Sequence, residues 1–141
     1  MARFVIDAPT LLHLVAEGIQ AGTDHQLVAP NLLRSQALAL LFQDVRRGEL
    51  TEEQALDRHE SLTGVKVRLL GDRVSRRVAW QIARELGLES TVDAEYLAVT
   101  RLQADAYVTV DPIARARADG IVPVGTVDQL SAAPRGARRA L

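Results

Sequence analysis

TVDAEYLAVTRLQADAYVTVD, residues 91–111, carries an acid at each end of a helix-then-strand unit. Val92, Tyr96, Leu97, Val99 and Leu102 fall at helical spacings, which predicts a helix from Val92 to Leu102 buried along one broad side. Asp93 stands at its opening. The segment Ala106 to Val110 is short, rich in β formers and bounded by Asp105 and Asp111-Pro112, the pattern of a buried parallel strand. An acid at the carboxyl end of such a strand lies on the rim where open α/β sheets place their ligands. Two carboxylates held there point to a metal site.

Working outward, the same pattern recurs at the start of the chain. Phe4-Val5-Ile6 is an apolar run that ends in Asp7, and Pro9 and Thr10 suit a helix beginning at once. Taken alone, Asp7 is adequately explained as a helix N-cap. His25 to Ala29 is a second strand, stopped by Pro30, and Leu32 to Val45 carries a helical period. Thr51 with Gln54 forms a capping box that predicts a helix over Glu52 to Leu62. Val65 to Leu70 alternates as an edge strand or an extended connection. Asp72 then caps a helix bearing Arg73, Arg76, Arg77 and Arg84. Beyond Asp111, a short helix is expected over Pro112 to Ala118, a last strand over Ile121 to Val124, and Val127 to Leu130 at the sheet edge. Strands alternating with helices, without hairpin signals, imply an α/β fold whose sheet is mostly parallel and covered on both faces.

Composition fits one domain, residues 1–130, followed by a basic tail, 131–141. The net charge is −1, and Arg135, Arg138 and Arg139 bring no acid with them, which leaves −4 for the residues before Pro134. The absence of cysteine excludes disulfides, thiol catalysis and thiolate zinc sites, and suits a reducing cytoplasm. Neither Leu11 to Val15 nor Leu38 to Phe42 approaches the length of a membrane span, so no membrane partner is expected.

With every parallel strand presenting its carboxyl end to one rim, Asp7 and Asp111 end two strands there and Asp93 begins the helix leading into one of them. Carboxylates gathered without a basic partner repel one another, and a hard divalent cation, magnesium or manganese, is the simplest compensation. Such an ion can lower the pKa of a bound water and offset charge on a phosphate.

VIDAP at the first strand, VAPNLLRSQAL at the second helix, DAEYLAVTRLQA around Asp93 and VTVDP after it resemble, in order and spacing over residues 2–130, the PIN-domain ribonucleases, in particular VapC-type toxins of toxin–antitoxin modules. The resemblance implies a three-layer α/β/α sandwich and a magnesium- or manganese-dependent hydrolase that cuts RNA. It also implies a homodimer and a cognate antitoxin. Asp7, Asp93 and Asp111 match three of the family's acids as catalytic and metal-binding residues, and Thr109 matches a supporting hydroxyl. The departure is Gln36, which stands where the family carries a glutamate. An amide can offer a carbonyl oxygen to a cation but brings no charge and takes no proton from water. Metal affinity should fall. The alternative is therefore a weakened or inactive RNA- or protein-binding module on the same fold, with Glu95 as a minor candidate to replace the missing acid.

Arg34, Arg73, Arg76 and Arg77 are candidates for holding RNA phosphates beside an acidic pocket. Exchanging Asp7 or Asp93 for asparagine is expected to abolish cleavage and leave the fold intact. Other phosphate-handling families fit poorly: Asp7 is followed by Ala8-Pro9 rather than a second acid, and Lys66, the one lysine, lies far from any late strand.

Overall fold

The apolar runs form strands β1 (Ala2–Ile6), β2 (His25–Pro30), β3 (Arg68–Leu70) and β4 (Ala106–Val108). Between and after them lie helices α1 (Ala8–Ala16), α2 (Leu33–Arg46), α3 (Glu52–Leu62), α4 (Arg73–Leu86), α5 (Val92–Gln103) and α6 (Pro112–Ala118), then a 3-10 turn over Val127–Leu130. These come from a computed structural model that describes residues 1–131. The sheet is parallel throughout, in the order β3-β2-β1-β4.

That order follows from right-handed crossovers. From β1 the chain steps to β2 and then β3, moving outward in one direction. It then returns past β1 to add β4 on the other side. Keeping one hand while reversing direction puts α1, α2 and α3 on one face and α4 and α5 on the other, a three-layer α/β/α sandwich. The packing agrees, since α1, α2 and α3 touch one another while α4 pairs with α5, which lies against β1, β2 and β4. The reversal occurs between β1 and β4, and such a switch point leaves a crevice at the carboxyl rim.

Val5, Ile6, Val28 and Val108 are wholly buried, as expected of strands covered on both faces. Register places Ile6 opposite Val108, which brings the chain just after each of them, Asp7 and Thr109, to the same place on the rim. Caps fix where several helices begin. The Asp7 side chain accepts from Thr10 N, Thr51 and Gln54 form the expected box, and Asp72 forms another with Ser75. Gly87, with φ of 67°, closes α4 in the left-handed conformation.

Three expectations are corrected. Of Val65 to Leu70, only Arg68–Leu70 pairs in the sheet, as its edge strand. β4 stops at Val108 rather than Val110, because Val110 N donates to the Thr10 hydroxyl instead of continuing the ladder. Ile121 to Val124 is not a strand; it contributes one parallel bridge, Val124 to Tyr107, in a stretch where Pro123 has no N–H to give. Ser131 bridges to Ala21, and the rest of the expected basic tail, 132–141, lies outside the described residues. Among the described residues no helix is long and apolar enough to cross a membrane.

Candidate functional site at the carboxyl rim

Asp7 is the centre of the rim. It is 5% exposed, and both carboxylate oxygens are fully engaged. Oδ1 accepts from Thr10 N at 3.1 Å and Thr10 Oγ1 at 2.5 Å. Oδ2 accepts from the Tyr107 hydroxyl and from Thr109 Oγ1, each at 2.6 Å. Thr10 reaches Asp7 because they lie three residues apart across the first turn of α1, and Tyr107 and Thr109 reach it from the neighbouring strand. Four donors on one carboxylate make its charge cheap to bury.

The remaining positions stand around this centre. Thr109 Oγ1 also accepts from Asp111 N at 3.1 Å, which links the second strand-end acid to the first. Asp111 itself caps α6 by accepting from Ile113 N at 3.0 Å. Asp93 is the second residue of α5, not its cap, and its Oδ2 accepts from Arg117 of α6 at 2.6 Å. Gln36, on α2, accepts through Oε1 from the Tyr96 hydroxyl. Tyr96 and Tyr107 lie with ring centroids 6.5 Å apart, so the two phenols join the Gln36 side of the rim to the Asp7 side.

The site is thus assembled from the residues the sequence singled out, but it is not the open acid cluster expected of them. Among the described residues no three carboxylate or imidazole side chains converge closely enough to hold a metal ion. To ligate a cation, Asp7 must first lose one of its four donors, whereas Asp93 uses only Oδ2 with Arg117 and Asp111 only Oδ1 with Ile113 N. As arranged, Asp7 offers no free oxygen to magnesium or manganese, whose ligand shells demand several, and the open oxygens are those of Asp93 and Asp111.

Glu95 lies partly buried on α5. Burial raises its pKa, and the Arg76 charge on α4 opposes that rise. Arg34 is corrected as a phosphate ligand: its guanidinium donates to Leu62 O at 3.3 Å and Val65 O at 3.4 Å and ties the end of α3 to α2. Arg73, Arg76 and Arg77 are exposed on α4, which begins at the same rim. His25 opens β2 at the opposite end of the sheet, away from this chemistry.

Sequence reasoning missed three members. Tyr107 and Tyr96 passed as apolar core, although a buried tyrosine needs a partner for its hydroxyl and each therefore pointed to a polar neighbour. Arg117 gave no such signal, because its pairing depends on where α6 turns.

Both phenols are pushed well above the ordinary tyrosine value. Burial is the main cause for each; the Asp7 charge and hydrogen bond add to it at Tyr107, and the charges of Asp7, Asp93 and Glu95 add to it at Tyr96. Unfolding returns them to about 10. A raised folded value means the native chain holds its proton more tightly, so this contribution is complete below about pH 10 and is lost as pH rises beyond it. Thermal unfolding followed from pH 8 to about 11 should show Tm falling above about pH 10, less steeply in Tyr107→Phe. A native Tm constant across that range would contradict the assignment.

No family model and no curated protein matches the chain. Among solved structures, the crystal structure of PAE2754 from Pyrobaculum aerophilum is similar, with a TM-score of 0.68 and 24% identity over 90% of each chain. That likeness is one of fold.

Proposed function

We propose that this chain is a VapC-like PIN-domain protein that acts on RNA as an attenuated endoribonuclease. The observation that carries the reading is Asp7, a buried carboxylate at the switch-point rim, clasped by Thr10 and Thr109 and linked through Thr109 to Asp111. Gln36 and Asp93 occupy the other positions that the resemblance marks. A phosphodiester entering the rim meets Asp93 and Asp111 on the accessible side, while Thr109 and Tyr107 fix Asp7 behind them. Magnesium or manganese is the group the resemblance implies, and it would supply charge neutralisation and an activated water. Attenuation follows from the neutral Gln36 and from the hydroxyls that fill Asp7.

The setting that accompanies this reading is a cytoplasmic toxin restrained by an antitoxin and paired with a second copy. Leu38 and Phe42 of α2 and Leu56 of α3 are exposed apolar side chains suited to that pairing.

The test is cleavage of a labelled mixed-sequence RNA with magnesium or manganese by the native chain and by Asp93→Asn, a substitution at an exposed side chain that spares the core. Slow cleavage by the native chain, lost in the variant, supports the reading. Cleavage undiminished in Asp93→Asn overturns it. A second reading, a silent RNA-binding module, is favoured by the complete saturation of Asp7; it predicts RNA binding with no cleavage at any concentration of either metal.

A further inference from the structure

Helix α4 is sharply two-sided. Ser75, Ala79, Ile82 and Ala83 are buried, whereas Arg73, Arg77, Trp80 and Arg84 are exposed. Spacings of four, three and four residues put these last four side chains in one line along the helix. Trp80 is 64% exposed, unusual for the largest apolar side chain, and it sits between arginines. None of the three arginines belongs to an ion pair among the described residues, where the pairs are His25 with Asp24 and Arg117 with Asp93.

We propose that this line on α4 is a binding track for single-stranded RNA, with Trp80 as a stacking platform for a base and Arg73, Arg77 and Arg84 on successive phosphates. The proposal rests on the RNA-directed reading of the rim and extends it to where the strand runs. Aromatic faces stack on any base, and guanidinium groups flanking them neutralise the backbone, the combination that single-strand binding surfaces use. The track also leads to the right place. β3 ends at the carboxyl rim, and α4 starts there with Arg73. A strand lying along α4 would therefore run to the rim that carries the acids. A second copy is the rival occupant of this face. A two-fold contact there would set arginine against arginine with no acid in the line to relieve them, so charge favours a polyanion.

Trp80 is the chain's one tryptophan, so its fluorescence reports this surface directly. The full-length chain is titrated with an oligouridylate of about 12 nucleotides in EDTA, which prevents cleavage. The expected result is saturable quenching of Trp80. By anisotropy of the labelled oligonucleotide, Trp80→Ala should bind roughly tenfold more weakly. Arg77→Gln should weaken binding and reduce the slope of log affinity against log salt by about 0.7. Both side chains are exposed, and circular dichroism verifies folding. Saturable binding without quenching, unchanged in Trp80→Ala, overturns the track and leaves the RNA-directed reading standing. No RNA binding at all overturns both. Loss of self-association in Trp80→Ala, seen by sedimentation, would then make this face a contact between copies.

Discussion

Asp7→Ala should lower stability by about 4 kcal/mol, and Asp7→Asn by about 2 kcal/mol, although neither residue change touches the hydrophobic core. The alanine variant strands four donors in a buried space: the Thr10 backbone N–H and the hydroxyls of Thr10, Tyr107 and Thr109. Some of these hydroxyls can turn to one another, but the backbone N–H cannot. Asparagine keeps one oxygen and aims an amide N–H₂ at two former donors. The less costly placement puts the amide against Tyr107 and Thr109, whose hydroxyls can reverse, whereas the Thr10 N–H is fixed. Tyr107 is then left to find another acceptor. For a chain of this size the losses correspond to falls in Tm of roughly 12 and 6 °C. Chemical denaturation monitored by circular dichroism would check them. Native stability in Asp7→Ala would mean that the four-donor clasp is not formed. Asparagine at position 7 is thus expected to fold but less stably, whereas Asp93, exposed and paired with Arg117, should tolerate it with little loss.

Gln36→Glu should raise the rate of RNA cleavage at least about tenfold at a fixed concentration of magnesium or manganese, a gain of about 1.4 kcal/mol. The new carboxylate keeps the Tyr96 hydroxyl as its donor, since Gln36 already accepts through an oxygen. What changes is charge. A carboxylate on α2 faces Asp7 and Asp93 across Tyr96, whose proton all three charges then hold. Without a cation, that repulsion should cost about 1 kcal/mol of stability; with one, it should be recovered. The paired observation of lower stability in EDTA and higher stability with manganese would be specific to a restored cation site. Equal cleavage by the native and variant chains would show that position 36 lies outside the chemistry.

How much of this was legible beforehand divides along physical lines. Strands such as Phe4-Val5-Ile6 and caps such as Thr51 with Gln54 and Asp72 are local: the signal and the structure lie within one element, and the bounds of α3 and α4 follow closely. The placement of Asp7, Thr109 and Asp111 on one rim was also legible, because parallel topology with a single hand sends every strand end the same way. What the sequence could not show is competition among donors. Asp7 is chosen by Tyr107 from β4, by Thr109 just after it and by Thr10 from α1, and Asp93 by Arg117 from α6, all through contacts made only after the layers close. Arg34 misleads for the same reason. Its guanidinium, which could equally serve phosphate, is drawn to the carbonyls at the end of α3. Val110 fails as a strand residue because its N–H has a nearer acceptor in Thr10.

On the proposed reading, the hydroxyl donors that saturate Asp7 and the neutral Gln36 hold the rim's affinity for a cation low. Isothermal titration of manganese into the native chain at neutral pH, with no RNA present, tests this most directly. The account predicts binding weaker than about 1 mM in the native chain and measurably tighter in Gln36→Glu. Micromolar binding by the native chain, abolished in Asp93→Asn, would contradict it and show that the donors around Asp7 do not keep a cation from the rim.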